Sequence, residues 1–149
     1  MKLISLSFLA AFLFSCSGPA PKTSETNTNV SPEQTQTLNK GDVDFSQWFQ
    51  DKTMRLDFFH TGSAQEEVFA VDKALCDGVW SGSHKILIDK LELGPYFFEV
   101  IDKETKTLLF SRGFASIFGE WQTTPEADKV KGTFHESLRF PWPQKPQSS

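Results

Sequence analysis

The clearest regularity in the chain is an alternation of apolar and polar side chains with a period of two. Thr53 to His60, TMRLDFFH, follows it for most of its length before Thr61-Gly62-Ser63, which predicts a strand and a turn. A second strand is expected across Glu66 to Val71, and a short one across His84 to Asp89, just after the glycine-marked turns at Asp77-Gly78 and Ser81-Gly82-Ser83. Tyr96 to Ile101 and Thr107 to Arg112 are β-rich arms around the polar loop Asp102 to Lys106, the signature of an antiparallel hairpin. Gly113 to Phe118 continues or bends that sheet, and Phe134, Glu136, Leu138 and Phe140 fall on one side of a closing strand.

Helical spacing is scarce. Phe45, Trp48 and Phe49 recur at i, i+3 and i+4 behind Asp44 as cap, and Thr124-Pro125-Glu126 reads as cap, first-turn proline and acidic first turn of a helix ending near Gly132. Pro141, Pro143 and Pro146 cannot donate ladder hydrogen bonds, so the C-terminal stretch is expected to be extended and peripheral. Short strands separated by turns, without a long amphipathic helix, define an all-β fold: an antiparallel β-sandwich with one or two short peripheral helices. An α+β roll is the competing class.

Outside this body the pattern changes twice. Leu3 to Phe14 is a largely apolar run, interrupted only by Ser5 and Ser7, behind Met1-Lys2, shorter than the ~20 residues a spanning helix needs but suited to the core of a secretory leader. Leu13-Phe14-Ser15-Cys16 resembles the lipobox of bacterial lipoproteins, which implies a signal peptide over residues 1–15, cleavage before Cys16 and acylation of Cys16. Residues 16–44 are dominated by Ser, Thr, Asn, Gln, Pro and Lys and hold too little apolar surface to offset chain ordering, so they form a tether. The folded domain spans 45–146, with a tail at 147–149. Multiple acyl chains hold a protein on a bilayer where one alone is marginal, so the membrane is an expected partner, and the protein belongs in the bacterial cell envelope, at the periplasm or outer membrane.

A net charge of -4 without a basic run leaves no row of cations for phosphates, so nucleic acid is not an expected partner. Fifteen Phe and four Trp give a small domain much apolar surface to bury. With Cys16 committed to lipid, Cys76 has no disulfide partner in the chain and is read as a small apolar residue. His60, His84 and His135 lie in unrelated segments, and no cofactor or metal site is expected from them. Glu66, Glu67, Asp102 and Glu104 are read as solvated surface. No serine has the flanking glycines of a nucleophile elbow, and no catalytic residue is assigned. Trp121, Trp80 and Trp142 are the candidates for a binding surface, Trp121 first because GEWQTT is a polar connection where an aromatic is harder to bury.

TFHESLRF, from Thr133 to Phe140, contains a His-Glu pair of the kind that opens a helical zinc-protease motif. The second histidine would stand four residues after His135, where the chain has Arg139, which has no lone pair for zinc. The segments DKTMRLDFFHTG (51–62), LGPYFFEVID (93–102), LLFSRGFASIFGEWQTTPEA (108–127) and GTFHESLRFPWPQKP (132–146) together resemble the N-terminal domain of the IgA-peptidase zinc metallopeptidases, metallopeptidase family sixty-four. The resemblance implies a β-sandwich module on a secreted or lipid-anchored bacterial protein. It also implies that zinc belongs to a separate C-terminal domain with a His-Glu-x-x-His helix, not to this chain, and that His135 and Glu136 inherit no metal role.

Three functions are expected on this basis. The first is a noncatalytic, lipid-anchored module that binds a protein or peptide or positions a substrate for a separate peptidase domain. The second is the front part of a split or truncated zinc metallopeptidase, and the third is a glycan-binding β-sandwich using a tryptophan platform.

Overall fold

A computed structural model of the chain describes residues 2–8 and 43–145. Cys16 and residues 16–42 of the tether lie outside the described residues, as does Pro146. The elements are β1 (Lys2–Phe8), α1 (Phe45–Trp48), β2 (Phe49–Gly62), β3 (Glu67–Cys76), β4 (Tyr96–Asp102), β5 (Leu108–Phe114), α2 (Ile117–Trp121) and β6 (Gly132–Pro143). They make two three-stranded sheets, ordered β1-β4-β5 and β3-β2-β6. Pairing is antiparallel throughout except between β1 and β4, which run parallel. The fold is all-β, with only two short helices among the described residues.

The core lies where the sheets face one another. Met54, Leu56 and Phe58 of β2 and Leu138 and Phe140 of β6 meet Phe98 and Val100 of β4 and Leu109 and Phe110 of β5. Phe98, Phe110 and Phe140 form a triangle of rings with centroids 5.8 to 6.5 Å apart, the spacing of offset aromatic pairs. The abundance of Phe thus serves one interior. α1 forms where expected, with the Asp44 carboxylate accepting from the Ser46 N–H as N-cap.

Four local expectations need correction. His84 to Asp89 is not a strand; it belongs to a long connection held to β5 by the Ser111 N–H donating to the Leu87 carbonyl and by the Asp89 carboxylate accepting from the Gly113 N–H. Phe118 belongs to α2 instead of the sheet, because Ser116 caps that helix by accepting from the Gly119 N–H. Thr124 to Val130 makes successive turns and no helix, which leaves Pro125 in a turn. Pro141 is buried in β6 opposite Thr53; the register breaks between Gln50 and Thr53, where a proline cannot fill its place in the ladder.

Candidate functional site

Alternation along β2 puts His60 in phase with Leu56 and Phe58, so its ring points into the body, where it is fully buried. The same logic along β6 aligns Glu136 with Leu138 and Phe140. Glu67 arrives from the start of β3 and Ser116 from the cap of α2. The four side chains form one network: His60 Nε2 is 2.6 Å from Glu67 Oε1, His60 Nδ1 is 3.0 Å from Ser116 Oγ and 3.2 Å from Glu136 Oε1, and the Ser116 hydroxyl donates to Glu136 Oε1 at 2.7 Å. Glu136 also accepts from the Phe118 N–H, which ties β6 to the start of α2. Phe69 and Phe118 stack on the two sides of the imidazole at 4.0 Å, and Tyr96 meets it edge-on at 5.4 Å. Lys2 reaches the same cluster: its ammonium donates to Glu67 Oε2 and, at 3.3 Å, to Gln122 Oε1, and it sits 5.7 Å from the Tyr96 ring centre.

Both imidazole nitrogens face carboxylate oxygens, which favours the charged ring. Burial outweighs this and pushes the His60 pKa below its ordinary value; Glu136 opposes the shift by charge and hydrogen bond, and the Lys2 charge adds to it. Burial likewise raises the Tyr96 phenol, with the Glu136 charge adding to the effect. A serine, a histidine and two carboxylates in contact invite comparison with a catalytic triad. The arrangement differs where it matters, because Ser116 gives its proton to Glu136 and not to His60, and serine and histidine are both buried away from solvent. It is a polar lock joining β2, β3, β6 and α2.

Glu67 was expected on solvated surface; instead its side chain is only 9% exposed because it answers a buried histidine and an ammonium. Glu66, Asp102 and Glu104 do stand at the surface or in turns, with Asp102 capping its own loop by accepting from the Thr105 N–H. The signal for the lock lay in phase: a histidine two residues after a core phenylalanine in an alternating strand must face inward and find polar partners.

The other sequence candidates are dispersed. Trp80 is buried against Phe110 and donates its indole N–H to the Ser83 carbonyl. Trp121 is half-buried between Phe118 and Phe134 and donates to Glu126 Oε2. Trp142 is partly buried against the core near α1. A cleft of about 510 Å³ beside Trp80 is lined also by Thr53, Asp77, Arg112 and Arg139. His84 stacks on Phe45 at 4.1 Å, and Cys76 is a half-buried free thiol at the end of β3.

One grouping around a histidine was not legible from spacing. The strands bring ligand atoms of Asp57, Asp72 and His135 within 4.8 Å of one another. Asp57 there commits both oxygens to Arg55, at 2.9 and 3.2 Å, so a cation would have to displace a guanidinium.

The facing sheets, their aromatic interior and the internally satisfied polar cluster define a small β module organised around its own core. Residues 44–148 match the family described as peptidase M64 N-terminus, and the chain belongs to that family. Among curated proteins, none matches the chain.

Proposed function

We propose that the chain acts as a noncatalytic, lipid-anchored N-terminal module of the IgA-type metallopeptidase lineage, holding a protein or peptide at the envelope surface or presenting it to a peptidase domain. The observation that carries the reading is the sealed polar lock in a domain matched, over residues 44–148, to the N-terminal part of a peptidase family. The serine-histidine-carboxylate grouping found among the described residues serves packing, and the cleft beside Trp80 offers arginines, an aspartate and hydroxyls without a histidine or cysteine. Such a body supports recognition better than bond cleavage.

Anchoring rests on the leader pattern and Cys16. Acyl chains on Cys16, followed by a polar tether whose coil reach is about 30 Å, would hold the domain clear of lipid headgroups on the envelope membrane. Fractionation of expressing bacteria tests this part: the full chain should sediment with membranes and, after extraction, have the mass of a chain beginning at an acylated Cys16. Cys16→Ser should move it to the soluble fraction or leave the leader attached. A native chain that is soluble and carries residues 1–15 would contradict the anchor.

A further inference from the structure

The two sheets have four outer edges, and an open edge is a template for another strand unless something blocks it. Three are blocked by the chain's own devices. β3 carries Asp72 and Lys73 on an exposed strand, and β6 places Pro141 and Pro143 in its ladder. β5 is covered by the Ser83–Leu93 connection through the Leu87 carbonyl and the Asp89 carboxylate.

The fourth edge is β1, and β4 beneath it has neither a proline in its ladder nor a covering connection, its charged residues being confined to Glu99 and Asp102. The β4 sequence YFFEVID is buried at Tyr96, Phe97, Phe98, Val100 and Ile101, the profile of an interior strand that wants a neighbour on each side. β1 supplies that neighbour, paired in parallel over seven residues from Lys2 opposite Tyr96 to Phe8 opposite Asp102. On the signal-peptide reading, on which this inference rests, β1 departs when residues 1–15 are removed.

We propose that the outer edge of β4 is a strand-accepting peptide site that β1 fills in the uncut chain and an extended partner segment fills afterwards. The partner is a polypeptide strand running parallel to β4, with a lysine opposite Tyr96 and β-forming apolar residues after it. Main-chain hydrogen bonds to β4 supply affinity that is indifferent to side chains. Specificity comes from the lysine pocket: Glu67 Oε2 and Gln122 Oε1 as acceptors, with the Tyr96 ring alongside. Glu67 is held in place by His60, so the pocket keeps its shape when Lys2 leaves. The lock and the edge thus form one device.

The test uses the full chain with a protease site introduced into the tether. After cutting and removal of the leader fragment, a fluorescent peptide with the sequence KLISLSF and a solubilising C-terminal tag is titrated by anisotropy, with hydrogen exchange followed at β4. Saturable binding with slowed exchange at Tyr96–Asp102 is expected. A peptide with glutamate in place of its lysine should bind about tenfold more weakly, and one with proline at its third residue should not bind, while the domain itself stays unaltered. No binding, equal binding by the proline peptide, or unchanged exchange across β4 would overturn the site. The mass of the membrane-extracted protein reports separately on leader removal, so a retained leader would count against the anchor while the titration still decides the acceptor edge.

Discussion

His60 Nε2 lies 2.6 Å from Glu67 Oε1, and the imidazole between Glu67 and Glu136 is wholly buried. A buried ring that bridges two carboxylates from different strands fixes where β3 and β6 cross β2. Removing it takes a partner from two poorly solvated carboxylates, Glu67 and Glu136, which costs more than the lost hydrogen bonds alone. His60→Ala should therefore lower unfolding stability by about 3 kcal/mol, and more than a surface histidine change such as His84→Ala. Chemical denaturation of the two variants measures the difference; equal midpoints would show that the lock contributes nothing.

Acid should weaken the same lock. Burial lowers the His60 pKa in the folded state relative to the unfolded 6.5, so the folded chain binds fewer protons here than the unfolded one. Its contribution is full above the unfolded pKa and is lost as pH falls through the folded pKa. Thermal midpoints should decline as pH drops below about 6.5, before carboxylate titration begins, and the His60 ring resonances should titrate below those of a free imidazole. A midpoint flat down to pH 5 would contradict this.

The connection that covers β5 depends on close backbone approach. A Cβ at Gly113 would stand 1.9 Å from the Leu93 carbonyl oxygen, which belongs to main chain that Gly94, at φ +106°, already turns sharply. Gly113→Ala should displace the connection, break the Gly113 N–H to Asp89 hydrogen bond and cost about 1–3 kcal/mol. Asp89, whose pKa that bond holds below the ordinary carboxylate value, should titrate at higher pH in the variant. An unchanged Asp89 titration would show that the connection is not anchored this way.

Trp121 packs between Phe118 and Phe134 and touches the site of Gly132, where a Cβ would meet its ring at 2.8 Å. A ring engaged on that side is occupied in holding α2 to β6. Trp121→Ala should lower stability by about 1–3 kcal/mol without altering retention on polysaccharide columns. Retention of the parent chain that the substitution abolishes would favour the glycan reading.

Much of the fold could be read from phase alone. The β2, β4, β5 and β6 strands and the Asp44-capped turn come from period-two or i, i+3, i+4 spacing and from cap chemistry, all of which are local. The features that escaped were set by distant partners: the 84–89 segment alternates well enough for a strand but gives its hydrogen bonds to β5 one at a time, and Ser116 as a cap outweighed the β-forming Ile117-Phe118. Glu67 looked solvated because its partners are His60, seven residues back in sequence, and Lys2, 65 residues back. The Asp57, Asp72 and His135 grouping likewise exists only once three strands are in register.

The central claim is that this body recognises and does not cut. Release of fluorescent fragments from labelled casein by the purified full chain, with zinc supplied, measures it most directly. No release above the protein-free blank over hours is expected, with or without the metal. Zinc-dependent turnover that scales with the chain's concentration and disappears in His135→Ala would contradict it.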